Sequence, residues 1–197
     1  TSNTSLSLTD TGDILMYNQG ALTVTSATAK DGGITLVNAG NVVATSLTTL
    51  GLSDRNDIVI RAQDYSVAKS GVTVSVGTLT TGNDVGIRRG DITLQVQGYL
   101  NFSDPTKAIK ADELTLGVYS GLGTVSAPIR TDVNALSLET SKSGNVYVSQ
   151  SARNLKLSSV RVADGGFTLS AGGAVDLIDV ESLSNQSGND IAITATG

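Results

Sequence analysis

Two pairs of aspartates are the candidates for acid–base chemistry in this chain of 197 residues: Asp54 with Asp57, and Asp176 with Asp179. Glycosidases need two opposed carboxylates, and polysaccharide lyases need an acidic cluster beside a basic residue. Such sites usually lie beside aromatic rings on which sugars stack, but the chain has no Trp, five Tyr and two Phe. A solvated turn explains each pair equally well, so we expect no catalytic residue and no enzyme.

The lack of Cys and His limits the remaining chemistry. It excludes thiol catalysis, disulfides and histidine-dependent triads. Calcium takes oxygen ligands, and the Asn-Asp pairs at 56–57, 83–84 and 189–190 could contribute them. Asn and Asp before a strand are also ordinary turn residues, and the glycine-rich nonapeptide of calcium-bound β-rolls does not occur. We therefore assign no metal-binding and no cofactor-binding residue, with a structural Ca²⁺ as the alternative.

Charge and composition narrow the class of protein. The net charge of −5 argues against nucleic-acid binding, which needs a basic stripe. No apolar run approaches the ~18 residues that cross a bilayer. Charged residues make up 16% of the chain and Gly contributes 22 residues. This mixture suits strands with short uncharged outward side chains and Gly at the corners, and it suits helices poorly, so it predicts an all-β protein.

A short phrase recurs along the chain, namely a turn residue followed by an apolar-x-apolar triplet. The triplets begin at Ile14, Ile34, Ile58, Ile92, Leu114, Leu136, Phe167 and Ile191. The alternation is the period-two pattern of a strand with one buried face. Most successive triplets are 20 to 24 residues apart, which fits one coil of a stacked solenoid. The repeat predicts a parallel β-helix (β-solenoid) of about nine coils, with 20–24 residues per coil and a single domain over 1–197.

A longer duplication strengthens this prediction. When the chain is shifted by 133 positions, 31–36 falls on 164–169, and 56–58 falls on 189–191, without a gap. Because 133 is close to six times 22, the duplication predicts that whole coils repeat in register.

Two segments depart from the regular spacing. The 34 residues from Ile58 to Ile92 predict two short coils with an intervening strand at 72–74. The segment 101–112 contains a proline, and it predicts a longer loop or a helical turn that begins near Asp104. A solenoid carries its side decorations on such insertions.

A discrete binding surface would show as loop insertions with exposed aromatic residues. We expect one at 61–90 or 101–112, with Tyr65 and Tyr99 nearby. Ice-binding solenoids use a different surface, a flat array of threonines. Thr-x-Thr pairs occur here at 23–25, 78–80 and 194–196, but they do not recur once per coil.

Three segments resemble a known bacterial repeat. The phrases Gly-Asp-Ile-Thr-Leu (90–94), Asp-Gly-Gly-Ile-Thr-Leu (31–36) and Gly-Gly-Phe-Thr-Leu-Ser-Ala-Gly-Gly (165–173) resemble filamentous-haemagglutinin-type repeats of large bacterial exoproteins and surface proteins. The resemblance covers most of the chain as a pattern. It implies a right-handed parallel β-helix, an extracellular or bacterial cell-surface location, and a role in adhesion or as a stalk. It carries over no functional residue, because the repeats of this family are structural.

Both ends of the chain are strand-like, and neither carries an amphipathic helix or a charged run. An open terminal coil offers unpaired strand edges, so a solenoid normally has caps. We therefore expect a slice of a longer rod or a subunit that stacks head to tail. Its partners would be other copies or neighbouring coils, and host or cell-surface glycans or proteins. The expected function is a non-catalytic structural or adhesive rod, with a carbohydrate-active β-helix (lyase- or hydrolase-like) and a passive polysaccharide-binding module as the alternatives.

Overall fold

The structure, a computed structural model, describes residues 4–51, 55–63, 71–82 and 90–197. These residues form nineteen strands and no helix, and the sheets that they build are parallel. The predicted all-β parallel β-solenoid is confirmed.

The strands are short, and most alternate buried inward residues with outward ones. In chain order they are β1 (Thr4–Asp10), β2 (Ile14–Asn18), β3 (Leu22–Ala29), β4 (Ile34–Asn38), β5 (Val42–Thr49), β6 (Ile58–Ala62), β7 (Val72–Thr81), β8 (Ile92–Val96), β9 (Gly98–Phe102), β10 (Ala108–Lys110), β11 (Glu113–Val118), β12 (Ile129–Asp132), β13 (Ala135–Thr140), β14 (Val146–Gln150), β15 (Leu155–Val162), β16 (Phe167–Ala171), β17 (Val175–Leu177), β18 (Val180–Ser182) and β19 (Ile191–Ala195).

Two parallel sheets run along the rod. The first has the order β1-β3-β5-β7-β10-β12-β14-β16-β19, with β9 also beside β7. The second has the order β2-β4-β6-β8-β11-β13-β15-β17, with β18 also beside β15. The chain passes from one sheet to the other and back in each coil, so that every coil lies on the preceding one.

The rod has about eight coils, where the sequence predicted about nine. Ile58 pairs directly with Ile92, so the 34 residues between them form one coil and not two. The strand predicted at 72–74 is the first part of β7, in the other sheet of that coil. Chain length overestimates the number of coils wherever residues are added between strands.

Inward side chains form continuous columns through the rod. In the second sheet the residues that pair in register are Ile14, Ile34, Ile58, Ile92, Leu114, Leu136 and Leu157. All seven are buried, and only Ile14, in the outermost strand of the sheet, is as much as 8% exposed. Burying one such side chain contributes about 1.5–3 kcal/mol. One coil could not bury its own share, because the coils above and below cover each side chain.

Buried amides tie the first coils together. Asn18 and Asn38 pair in register at the ends of β2 and β4, and Asn18 Nδ2 donates to Asn38 Oδ1 at 2.7 Å. Asn38 Nδ2 donates in turn to three turn carbonyls at 2.9, 2.7 and 3.1 Å, those of Gly20, Gly40 and Asn41. These bonds satisfy carbonyl groups that would otherwise be shielded from water without a donor.

The two sheets exchange shape along the rod. Near the N-terminal end the second-sheet strand β4 is straight with five residues, whereas β3 and β5 in the first sheet have eight and their pairing is interrupted after Val24. Near the C-terminal end β16 in the first sheet is straight with five residues. There β15 in the second sheet has eight, with a register shift after Leu136 of its partner, and β17 and β18 continue its two halves.

The 133-residue duplication therefore does not repeat whole coils in register, and that prediction is wrong. It places β4 of the second sheet on β16 of the first, and β6 on β19. The corner before the strand is preserved: the N–H of Ile34 donates to Asp57 O at 2.8 Å, and that of Phe167 donates to Asp190 O at 2.9 Å. The repeated unit is a straight strand with its corner. Either sheet accepts this unit, because period-two alternation does not specify the face of the coil.

The segment 101–112 forms the predicted loop, with a hydrogen-bonded turn that begins at Asp104. β9 ends at Phe102, and β10 follows after this turn. The Asp104 carboxylate accepts the N–H of Thr106 at 3.0 Å, and its carbonyl accepts the N–H of Lys107 at 3.2 Å. The insertion thus leaves the register of the strands on either side intact.

Asn38→Ala should lower the free energy of unfolding by about 1–3 kcal/mol, because it leaves three turn carbonyls without their donor. Urea-induced unfolding followed by circular dichroism measures the change. Asn101→Ala, at an exposed position of β9, is the control and should stay within about 0.5 kcal/mol of wild type. Equal unfolding midpoints for the two variants would show that the amide ladder does not stabilise the first coils.

Candidate functional site

Carboxylates line the corner at which the chain enters the second sheet. Asp13, Asp57 and Asp91 each stand directly before the first residue of a strand. Each accepts a hydrogen bond from a backbone N–H of the next coil: Asp13 from Gly33 at 2.8 Å, Asp57 from Asp91 at 2.8 Å, and Asp91 from Glu113 at 3.0 Å. These carboxylates therefore join the corners of successive coils.

Asp91 has the most acidic surroundings of these residues. Burial raises its pKa, and repulsion from Asp57, Glu113 and Asp112 raises it further, against the lowering effect of the hydrogen bond from the Glu113 N–H. A carboxyl group with a raised pKa can serve as a general acid. Here one carboxyl oxygen already accepts a backbone hydrogen bond, so the same group also holds the corner together.

The two predicted aspartate pairs have different outcomes. Asp54 lies outside the described residues, so the structure places only Asp57 of the first pair. In the second pair Asp176 is exposed on β17, whereas Asp179 Oδ2 lies 3.1 Å from Arg161 Nη2. The structure thus brings Asp179 to a cation of the preceding coil.

The predicted Asn-Asp pairs hold turns together where the structure describes them. Asn56 is buried, and its Oδ1 accepts the N–H of Gly32 at 3.0 Å. Asn189 Nδ2 donates to Asp164 Oδ1 at 2.9 Å. The third pair, 83–84, lies outside the described residues. In the described ranges no group of three or more Asp, Glu, His or Cys side chains is arranged to hold a metal ion.

One threonine column runs along the first sheet. Thr28, Thr48 and Thr80 pair in register over three coils, and Lys110 follows them. Thr23, from a predicted Thr-x-Thr pair, is not followed by a threonine in the next coil. A search for Thr-x-Thr phrases misses the column, because each coil contributes one threonine to it.

The tyrosines expected near the insertions lie on the side of the rod where they are described. Tyr65 is outside the described residues, and Tyr99 is exposed on β9. The Tyr99 ring contacts that of Tyr119 in a T-shaped arrangement, with 6.4 Å between the ring centroids. The sequence reasoning did not single out Tyr119, because its contact depends on the register between two coils.

Both ends of the described rod present strand edges that have a neighbour on one side. These strands are β1 and β2 at the N-terminal end, and β17, β18 and β19 at the C-terminal end. Ile191 in β19 is 43% exposed, although its in-register partner Phe167 is buried. More apolar side chains are exposed in the last coil, those of Leu177, Ile178 and Leu183. The inward columns of the rod are therefore open at this end.

The two ends match in shape when one of them is turned by half a coil. At the N-terminal end the straight strand β2 belongs to the second sheet, and β1, which has a register shift after Leu6, belongs to the first. At the C-terminal end the straight strand β19 belongs to the first sheet, and the two-part edge of β17 and β18 belongs to the second. Placing straight on straight continues the first sheet of one rod into the second sheet of the next.

Comparisons of this chain with protein-family models, with curated proteins and with solved structures find no match. The fold supports the coarser part of the sequence resemblance, that the chain is a β-helical repeat protein, and the filamentous-haemagglutinin assignment stays a prediction. Among the residues that the structure describes, no helix is long and apolar enough to cross a membrane.

Asp91→Asn should raise the melting temperature at pH 7 and lose this effect in acid. The pKa of Asp91 is raised in the fold, so the stability that its carboxyl contributes is fully present below the unfolded pKa and is lost as pH rises through the folded value. Asn removes the charge and keeps an oxygen that can accept the Glu113 N–H. Thermal unfolding from pH 3 to pH 7 should therefore show the variant's advantage growing with pH.

Asp164→Asn is the matched variant of opposite sign. Hydrogen bonds from Ser184 and Asn189 lower the pKa of Asp164, so its stabilisation is present above the unfolded pKa and is lost as pH falls through the folded value. This variant should melt below wild type at pH 7 and approach it in acid. If Asp91→Asn and Asp164→Asn lowered the melting temperature equally at pH 7, the assigned role of the acidic corner would be wrong.

Proposed function

We propose that this chain is a non-catalytic structural and adhesive rod of a bacterial surface or secreted protein, and that its terminal coils stack head to tail. The observation that carries the proposal is the shape of the ends, each of which has one straight edge and one longer or two-part edge. The bacterial surface and the adhesive role rest on the resemblance to filamentous-haemagglutinin-type repeats. A stack of paired coils makes a stiff shaft, because each coil is held by both neighbours.

The inward columns would continue across such a junction. The 133-residue shift places β19 on β6, whose next neighbour in the second sheet is β8. When β2 of a second copy takes the place of β8, Ile14 of that copy lies on Ile191, and Met16 lies on Ile193. Both contacts join apolar inward side chains in register and remove them from water.

The polar corner would continue in the same way. Within the chain, Asp57 Oδ1 accepts the N–H of Asp91 at 2.8 Å, and the N–H that follows Asp57 donates to the Asp91 carbonyl at 2.9 Å. The shift places Asp190 on Asp57, and the junction places Asp13 of the next copy at the position of Asp91. The exposed Asp190 carboxylate then gains a backbone donor, and the N–H of Ile191 gains an acceptor.

Ile191→Lys is expected to abolish association of the rods. In a single chain the new ammonium group can reach water through the open end, whereas in a stacked pair it would be buried against Ile14, at a cost of several kcal/mol. Ala192 is the next residue of the same strand and pairs with the exposed Thr168, so it points outward. Ala192→Lys is therefore the matched control, with the same charge at the same end.

Light scattering over a concentration series, with negative-stain electron microscopy of the same samples, measures the effect. Wild type and Ala192→Lys should form rods that lengthen with concentration. Ile191→Lys should remain at the length of one chain, about 38 Å for about eight coils at the strand spacing of a sheet. Discrete single rods of wild type would contradict head-to-tail stacking, and equal association of the two lysine variants would contradict this end as the contact.

A further inference from the structure

The outward face of the second sheet has a gap in the middle of the rod. One outward column, whose members pair in register, consists of Tyr17, Val37, Arg61, Gln95, Gly117, Glu139 and Arg161. Gly117 is the one member without a side chain. Because neighbouring strands lie about 4.8 Å apart, the gap between Gln95 and Glu139 is about 10 Å wide.

The backbone does not explain the glycine at position 117. Gly117 has no positive φ, and an added Cβ would meet Gln95 Cγ at an ordinary 3.8 Å. Gly98 differs, because a Cβ there would collide with the backbone of Val72. A glycine inside a strand marks a bulge, a bend, or a place where a ligand or another backbone approaches closely. Since β11 pairs with β8 and β13 without a register shift, the approach of a ligand is the explanation that remains.

Gly117 lies in a lateral groove with a volume of about 550 Å³. The polar and aromatic side chains that line it are those of Gln63, Gln95, Gln97, Tyr119, Glu139 and Ser141. Among the described residues of the lining there is one carboxylate and no lysine or arginine. The groove thus offers several neutral hydrogen-bonding groups and little charge.

An aromatic pair stands beside this groove. Tyr119 is 41% exposed and Tyr99 is 54% exposed, and their rings lie at 71° to each other with the centroids 6.4 Å apart. Edge-to-face pairs of this kind are stabilised beyond the area that they bury, so Tyr99 supports the orientation of the Tyr119 ring. An exposed ring held in place is a surface on which an apolar face of a ligand can pack.

These groups match the chemistry of a neutral carbohydrate. A sugar hydroxyl both donates and accepts hydrogen bonds, as a glutamine amide does, and the C–H face of a sugar ring can pack on tyrosine. A phosphate-rich ligand would meet the Glu139 carboxylate without a cation in the described lining. Hydrolysis of a glycosidic bond needs two carboxylates, and the described lining has one. We propose that the lateral groove binds a segment of neutral polysaccharide without cleaving it.

This proposal is independent of stacking at the ends. The groove lies on the interior strands β6, β8, β11 and β13, so a single rod contains a complete site. In a stacked fibre the site would recur once per copy, and several weak contacts to one polysaccharide chain would then bind with avidity.

Gly117→Thr tests the gap directly. Threonine is favourable in strands, so the melting temperature should be unchanged or higher, while the new side chain occupies the gap. Tyr119→Ala removes the ring, and Thr115→Val, an outward change in the same strand outside the groove lining, is the control. The probes are three soluble neutral polysaccharides (dextran, a mixed-linkage β-glucan and a galactomannan), with dextran sulfate as an anionic comparison. Affinity electrophoresis and titration calorimetry measure the binding.

Wild type and Thr115→Val should bind at least one neutral polysaccharide with equal affinity. Gly117→Thr and Tyr119→Ala should bind it at least about 10-fold more weakly, with Gly117→Thr melting no lower than wild type. The proposal would be overturned if wild type bound none of the neutral polysaccharides, if it preferred dextran sulfate, or if Gly117→Thr bound as wild type does. Stacking is measured separately, by light scattering of wild type without glycan, so that the two proposals fail independently.

Discussion

The parallel hydrogen-bond ladder between successive coils is the interaction on which the rest of the structure depends. In the described residues strands pair across coils, as Ile58 pairs with Ile34 on one side and with Ile92 on the other. Each coil must therefore bring inward residues over inward residues, whatever its length. This constraint explains why the apolar columns are continuous and why additional residues, such as those around Asp104, lie between strands and not within them.

The same constraint gives the corners, the sides and the ends different roles. Corner carboxylates are bound to the backbone of the next coil, and the raised pKa of Asp91 follows from stacking acidic corners at the spacing of one coil. Outward residues on the sides hold no coil in place, so a position such as Gly117 can be left without a side chain for a ligand. At the ends the ladder stops, and inward side chains such as Ile191 are partly exposed until another coil covers them.

The architecture could be predicted from the sequence because its two periods are written in the inward residues. The triplets from Ile14 to Leu136 form one register in one sheet, as their spacing indicates. Phe167 belongs to the other sheet, because alternation identifies an inward side chain without identifying the face of the coil. The groove at Gly117 and the ion pair between Asp179 and Arg161 could not be predicted, since they join residues of different coils and coil length is not constant.

Disulfide cross-linking tests the stacking of the ends most directly, because the chain has no Cys. In the half-turn junction Ile191 lies on Ile14, so Ala192 of one copy lies beside Leu15 of the next, one strand spacing away and within disulfide range. If each sheet continued into itself, Ala192 would lie against β1, which contains Ser7. Under oxidation, mixtures of Ala192→Cys and Leu15→Cys rods should form the mixed disulfide, identified by peptide mass spectrometry, and mixtures with Ser7→Cys should not. Cross-linking to position 7 alone, or to neither position, would contradict the account.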